Sequence, residues 1–382
     1  MRLGYSLLTL FPGRVGGSET YVRGLIGAYA DGHGPDDVTV LANRHVAPVY
    51  AGFERGPVRL HEVRSYRPGD GTLTRAAAML GAWALPRRVA RDVPSGLDLL
   101  HYPVTIPIPA PRGPHVVTVH DLQHHDLPEF FSRAERSYRA LAYDRAARRA
   151  TAVMTPSEAT RDRLVRSGVD PARVHVIPYG VDHERFQPEP RPDEEALLVG
   201  LGLPERFVFY PANLWPHKNH ERLLDAFARV GDPSLELVLS GQDYGRLDEL
   251  RARTRALGID ARVHHLGHVS PGAMAALYRR ALALVFPSLY EGFGSPPLEA
   301  MACGCPVAAS RSGSLGEVCG DAALPLDPHD ADSIAGALNR LAEDAALRED
   351  LRARGLQRAS GFSWPLAAER HVALYERVLE AG

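Results

Sequence analysis

Leu284-Val-Phe-Pro-Ser-Leu-Tyr-Glu-Gly-Phe-Gly-Ser-Pro-Pro-Leu-Glu-Ala300 passes from an apolar run through two glycines into a proline-opened helical stretch. Leu284–Phe286 reads as a buried strand. A helix begins near Pro296, because proline is favoured in the first helical turn, where its missing N–H costs nothing. Strand, glycine turn and helix in that order form the repeating unit of a parallel α/β sheet. Backbone N–H groups of Gly294, Ser295 and the following turn would meet an anion above the helix, phosphate being the natural one. Two acids stand eight positions apart: Glu291 in the loop, and Glu299 a turn or so into the helix, flanked by Leu298, Ala300 and Met301. A carboxylate buried there without partners is costly. Glu299 therefore reads as reaching a ribose hydroxyl pair and Glu291 a sugar hydroxyl; the plainer reading makes them a surface acid and an exposed loop acid.

The alternation extends in both directions. Upstream, Leu3–Leu8, Val38–Leu41, Val58–Val63, Leu97–His101, Val116–His120, Ala152–Thr155 and Val174–Ile177 read as strands, with amphipathic stretches such as Ser18–Ala30, Ser132–Arg149 and Ser157–Ser167 between them. Gln187-Pro-Glu-Pro-Arg-Pro-Asp193 breaks the pattern. Strands then resume at Phe207–Tyr210, Leu235–Leu239, Val263–Leu266, Leu284–Phe286, Val307–Ala309 and Ala323–Leu326. The expected architecture is α/β: two doubly wound Rossmann-like domains, 1–186 and 196–363, joined by a linker at 187–195 and facing each other across a cleft. Ligands of open α/β sheets bind at the carboxyl ends of the strands. The last helix, Trp364–Glu380 within 364–382, is expected to pack back on the first domain.

Composition narrows the function. Net charge is -2 and 24% of residues are charged, without the basic excess of a nucleic-acid binder. Three cysteines make no disulfide framework; Cys303 and Cys305 read as small buried residues in a reducing compartment. No signal-peptide pattern opens the sequence and no run approaches the length of a spanning helix, so a cytoplasmic protein is expected. Of 44 basic residues a single one is lysine, Lys218, in Tyr210-Pro-Ala-Asn-Leu-Trp-Pro-His-Lys-Asn219. It follows the first strand of the second domain, just before a helix, where a solvated cation would oppose the helix dipole. A diphosphate beside it in a partly desolvated cleft is the better reading.

In the first half, Gly13-Arg-Val-Gly-Gly-Ser-Glu19 follows the first strand. Gly16 and Gly17 let backbone approach a ligand; the plainer reading is a tight turn with Ser18 as helix cap. The spacing is not the Gly-x-Gly-x-x-Gly of dinucleotide sites. Val116-Val-Thr-Val-His-Asp121 ends a strand with His120 and Asp121. His120 reads as a cleft residue, against a satisfied structural histidine or, with His124 four positions on, part of a metal site lacking an evident third ligand.

Together these segments resemble the retaining glycosyltransferases of family 4 (glycosyl transferases group 1), which have the GT-B fold. The resemblance covers nearly the whole chain. Its most specific element is Glu291-Gly-Phe-Gly-Ser-Pro-Pro-Leu-Glu299, supported by Gly16-Gly17, His120, Pro178-Tyr-Gly-Val-Asp182 and Lys218. It implies that Glu291 contacts donor-sugar hydroxyls, Glu299 the ribose, and Lys218 the departing diphosphate. His120 would hydrogen-bond the transferred sugar, and Gly16 and Gly17 would admit phosphates. Phe293, Gly294, Ser295 and Leu298 would line the donor site, with His268 and Val269 of Leu266-Gly-His-Val269 at the base; Asp121 would face the acceptor. Members commonly have arginine where this chain has Asn213, so the usual Arg–Lys pair is reduced to Lys218. No metal and no cofactor are expected. The donor would be GDP-mannose or a UDP-hexose, the acceptor a glycan, a lipid-linked saccharide or a small molecule, and the mechanism front-face with retention.

Three other readings compete. A sugar-nucleotide epimerase shares the plan, a nicotinamide dehydrogenase lacks its glycine pattern here, and a non-catalytic nucleotide-sugar-binding partner would keep the binding residues. Arg75–Arg91 mixes apolar residues with Arg87, Arg88 and Arg91 and leaves peripheral contact with an inner membrane face open.

Overall fold

Each apolar run read as a strand is one. In the computed structural model, which describes residues 1–13, 16–192 and 194–381, the first half carries β1 (Arg2–Ser6), β2 (Asp37–Ala42), β3 (Val58–Glu62), β4 (Leu99–Tyr102), β5 (His115–Thr118), β6 (Ala152–Thr155) and β7 (Val174–Val176). The second carries β8 (Phe207–Pro211), β9 (Glu236–Ser240), β10 (Val263–His265), β11 (Ala283–Phe286), β12 (Val307–Ser310) and β13 (Leu324–Leu326). In β6, β8, β11 and β12 every residue is buried. Burial on both faces is what a central parallel strand with helices above and below requires, and it explains why these strands are unbroken apolar runs.

All recorded pairings are parallel. The first sheet runs β3-β2-β1-β4-β5-β6-β7 and the second β10-β9-β8-β11-β12-β13. Both orders reverse beside their first strand, at β1/β4 and at β8/β11. Such a reversal opens a crevice at the strands' carboxyl ends. In the second sheet that point is reached by the turn after β8, with Asn213 and Lys218, and by the loop after β11, with Glu291.

The chain divides into two compact units, Met1–Gly180 with the segment from Trp364 onward, and Val181–Ser363. This moves the boundary from 186 to 180 and removes the expected linker. The proline-rich stretch belongs to the second unit, where Arg279 pairs with Glu194 and donates to the Gln187 carbonyl (2.9 Å). Proline content marked irregular backbone correctly, but one arginine ties that backbone down. Asp193 lies outside the described residues. The crossing strands of chain are themselves bridged, Val181 pairing with Ser363.

Helix Trp364–Glu380 packs on helix Gly17–Ala28 of the first unit, where a methyl group on Gly24 would overlap the Trp364 indole. A buried polar chain fastens the joint. Tyr375 OH meets His101 Nδ1 (2.6 Å), His101 Nε2 meets Thr118 Oγ1 (2.8 Å), and Tyr21 OH bridges Thr118 (3.2 Å) and His371 Nε2 (2.9 Å). Burial holds both imidazoles below their usual range, hence neutral. Uncharged partners let the network sit in the core without the cost of a buried ion.

Two helices differ from expectation in instructive ways. The first begins at Gly17 with Gly16 as its uncapped N-terminal residue, so Ser18 is inside the helix and is not the cap. The stretch from Ser132 does open with a Ser132–Glu135 capping box, but it contains a π-helical turn at Ala140–Asp144.

Candidate functional site

At the β8/β11 crevice the second unit brings Lys218 and Glu291 together. Lys218 ends a short turn, Pro216–Lys218, and Asn219 takes a left-handed backbone (φ 63°) to enter the helix His220–Phe227. Tyr210 OH donates to the Lys218 carbonyl (2.6 Å). Asn219 Nδ2 donates to the carbonyls of Pro287 (3.0 Å) and Pro328 (2.7 Å), and Leu289 N–H to that of His217 (2.8 Å). The turn after β8 is thus stitched to the loop after β11. Across the stitch Lys218 Nζ lies 2.5 Å from Glu291 Oε1, with 13% and 12% of the two side chains exposed. The two residues assigned separately to diphosphate and sugar are partners.

Glu291 is held from behind by the loop after β12. Ser314 donates through Oγ to the carbonyls of Glu291 (3.0 Å) and Phe293 (2.8 Å), and through its N–H to Glu291 (3.1 Å). Gly313 (φ 61°) passes so close that a Cβ would stand 2.5 Å from the Glu291 carbonyl oxygen. Phe293 is buried, Gly294 takes φ 96°, and helix Ser295–Ala302 follows with Leu298 fully buried. No side chain caps this helix. Because Pro296 and Pro297 have no N–H, Gly294 and Ser295 supply the amide donors of its first turn, fewer than a helix start ordinarily offers.

Glu299 is partly accessible, yet the surrounding protein pushes its carboxyl up to about 7, against the Tyr278 hydroxyl, which donates to Oε2 (3.1 Å), and Arg185, which favours the charged form. Asn213 is committed as well: its Oδ1 accepts from Gln242 N–H (2.8 Å), beside Gly241, where a Cβ would meet the Ala212 and Asn213 backbone. The Asn213 side chain thus ties the turn after β8 to the turn after β9. Val269 is buried and His268 exposed after β10. Cys303, Cys305 and Cys319 are free and buried, and burial pushes the Cys303 thiol up to about 12.

In the first unit His120 has both nitrogens engaged. Nε2 lies 2.7 Å from the Pro103 carbonyl, which only accepts, so Nε2 carries the hydrogen and Nδ1 accepts from Tyr179 OH. Burial drives its pKa down to about 4, despite the Pro103 carbonyl and Asp121. A neutral, doubly bonded imidazole can meet a sugar hydroxyl only by releasing one partner. Asp121 accepts from Gln123 N–H (3.1 Å) and lies 3.9 Å from Arg139. Gly16 and Gly17 are exposed; Arg14 and Val15 between them and Gly13 lie outside the described residues. Glu19, in the first turn, accepts from Gly13 N–H (2.6 Å) and pairs with Arg23.

Two family profiles divide the chain: "Glycosyltransferase Family 4" matches residues 15–185 and "Glycosyl transferases group 1" residues 199–358. The O-antigen chain mannosyltransferase B of Escherichia coli is 30% identical over 316 residues, covering 80% of this chain and 81% of that protein. The chain belongs to glycosyltransferase family 4. The MMP alpha-(1->4)-mannosyltransferase of Mycolicibacterium hassiacum is 35% identical over 243 residues, 62% of this chain and 56% of that one. The D-inositol 3-phosphate glycosyltransferase of Rhodococcus opacus is 35% identical over 54% of this chain, which spans about half (49%) of its length. Among solved structures, the sucrose-phosphate synthase of Thermosynechococcus elongatus superposes with TM-score 0.77 at 24% identity, each chain covered completely. HepE of Anabaena, in complex with UDP and glucose, gives 0.75 at 20% identity, covering 99% of this chain and 100% of that one. Both share the expected GT-B fold.

Several residues that shape this glycosyltransferase's site escaped sequence reading: Asn219, Gly313, Ser314, Tyr278 and Gln242. The run Ser310-Arg-Ser-Gly-Ser314, small and polar directly after a strand, was the available signal for one loop. Histidine reading also needs correction. His124 does not group with His120; it stands with His125 and Asp144, all three offering ligand atoms within 4.8 Å of one another. The arginine-rich stretch Arg75–Arg91 folds as helices Thr72–Ala84 and Pro86–Ala90, leaving Leu73, Leu80 and Leu85 exposed. Among the described residues no helix is long and apolar enough to cross a membrane.

Proposed function

We propose that this glycosyltransferase takes a hexose from a nucleoside-diphosphate sugar, GDP-mannose or a UDP-hexose, and passes it with retention of anomeric configuration to a saccharide, lipid-linked or small-molecule acceptor. Two relatives named as mannosyltransferases put mannose first. The observation that carries the reading is the Lys218–Glu291 pair at the switch point of the second sheet. Donor binding exchanges partners: the diphosphate takes the ammonium, and the freed carboxylate accepts from sugar hydroxyls. Neither charge is left unpaired at any stage, which a partly buried site demands. Glu299 accepts from the ribose, and the amides of Gly294 and Ser295 meet phosphate oxygens.

In the proposed chemistry the acceptor oxygen attacks the anomeric carbon on the face the phosphate is leaving. The carbon–oxygen bond to the diphosphate breaks, and the acceptor's proton passes to the departing phosphate oxygen. Lys218 stabilises the charge growing there, which leaves no need for a metal at the diphosphate. His120, neutral and anchored by Pro103, hydrogen-bonds the sugar once Tyr179 yields Nδ1.

The test is nucleoside diphosphate release from GDP-mannose and from UDP-glucose, with and without a saccharide acceptor, followed by NMR of the product's anomeric proton. Acceptor-dependent release and an α-linked product from an α-donor are expected. An inverted product sinks the retaining mechanism, and release of nucleotide without group transfer sinks the transferase reading.

A further inference from the structure

His124 and His125 lie in the short helical turn Gln123–Asp126 that follows β5 and His120. Asp144 closes the π-helical turn Ala140–Asp144. Single π-turns inserted in helices recur at functional sites, because the extra residue re-aims a side chain. Here it delivers a carboxylate to two imidazoles: His125 Nε2 is 3.0 Å from Oδ2 and His124 Nε2 is 3.5 Å from Oδ1. Ligand atoms roughly 2.0–2.2 Å from a common tetrahedral ion stand roughly 3.3–3.6 Å from each other, which these separations approach.

The environment favours an ion over a simple histidine–aspartate contact. His124 is almost wholly buried (2% of its side chain exposed), and neither of its ring nitrogens has a hydrogen-bond partner. Its imidazole is edged by Phe131 (6.5 Å) and Tyr143 (6.4 Å) and lies 4.3 Å from that of His125. Two imidazoles and a carboxylate bring two nitrogens and an oxygen within 4.8 Å of one another. The arginines of this region do not compete for Asp144, since Arg139 pairs with Asp121 (3.9 Å) and Arg163 with Asp126 (3.0 Å).

We propose that His124, His125 and Asp144 form a binding site for a divalent transition-metal ion of the zinc class. Two nitrogens and one carboxylate suit Zn²⁺, Co²⁺ or Fe²⁺, and not Mg²⁺ or Ca²⁺, which take oxygen ligands. Three protein ligands leave a coordination position open. His125, with 28% of its side chain exposed, gives the ion its way in. Bound there, the ion clamps the segment carrying His120 and Asp121 onto the helix carrying Asp144. The proposal does not depend on the reading of the diphosphate site, whose Lys218 and Glu291 lie in the second unit.

Purified full-length protein, stripped with chelator, is titrated with Co²⁺ and followed by visible absorption, which reads coordination directly and needs no variant. Saturable d–d bands of a four- or five-coordinate ion, displaced by one equivalent of Zn²⁺, are expected, with a higher melting temperature in Zn²⁺. His125→Ala removes a partly exposed ligand and should weaken Co²⁺ by more than the roughly 10–100-fold that losing a second-shell partner costs. Asp144→Asn should abolish the bands. His45→Ala, at a half-exposed histidine elsewhere in the unit, should leave the titration unchanged. Absence of the bands in the wild-type chain, or a His125→Ala titration equal to wild type, overturns the site.

Discussion

Gly16 and Gly294 each precede a helix at a strand-to-helix junction, take positive φ (55° and 96°), and go uncapped by any side chain. Past the glycine the two junctions part. In the first, Glu19 sits in the opening turn, accepts from Gly13 N–H and pairs with Arg23, so a carboxylate of the chain itself already stands at the positive end. In the second, the opening turn has no acid, two prolines, and the Lys218–Glu291 pair on the neighbouring loop. The same backbone device thus has an acid in the first turn of its own helix at one junction and none at the other. A glycine turn says that a ligand can approach; the charges of the first helical turn say whether an anion gains by doing so.

The largest test of this contrast is Lys218→Ala. If the second junction handles the diphosphate, kcat should fall about 10²–10³-fold, the usual cost of losing a donor to developing charge. Gly294→Ala comes next: a left-handed backbone and a Cβ 2.5 Å from Leu315 should lower stability by about 1–3 kcal/mol in chemical denaturation. Gly17→Ala, with nothing within 4 Å of the new methyl, should be neutral or raise stability by up to about 1 kcal/mol.

A pH series sharpens the contrast further. Glu299, raised to about 7, is protonated below that pH and ionised above it. The ionised form is the better acceptor for ribose hydroxyls, so nucleoside diphosphate affinity by calorimetry should improve about tenfold from pH 6 to pH 8 and stay flat in Glu299→Gln. Stability runs the other way. A carboxyl whose pKa is higher folded than unfolded contributes fully below its ordinary value and loses that contribution as pH rises through about 7, so Glu299→Gln should melt higher than wild type at pH 8. The smallest effect belongs to Glu19→Gln, which should cost at most about 1 kcal/mol by removing a first-turn carboxylate and its arginine pair.

The central strands β6, β8, β11 and β12 were legible because each is a run buried from end to end, as a doubly covered parallel sheet requires. Glu291, Glu299 and Lys218 drew notice in the sequence because a lone lysine and acids in a glycine-proline setting contradict their surroundings, but the pairing of Lys218 with Glu291 was not foreseen. What escaped is set by contacts distant in sequence. Nothing around Pro188 or Pro190 announces that Arg279 will hold that stretch, and nothing in Ala140–Asp144 announces a π-turn. Asp144 is twenty residues from His124, so no spacing rule joins them. Asn213 was noted for the charge it lacks, and only the structure shows the strand junction it makes with Gln242.

Lys218 is the chain's sole side-chain primary amine. Reductive methylation with ¹³C-formaldehyde would therefore place one reporter resonance beside Glu291, apart from any signal from the chain's own N-terminus. Its chemical shift would follow the change of partner from carboxylate to diphosphate as donor is added. Amine-acylating reagents would read the same exchange as a rate. With arginine at every other Lys/Arg position, the chain can be labelled selectively at the one point where its occupancy is worth watching.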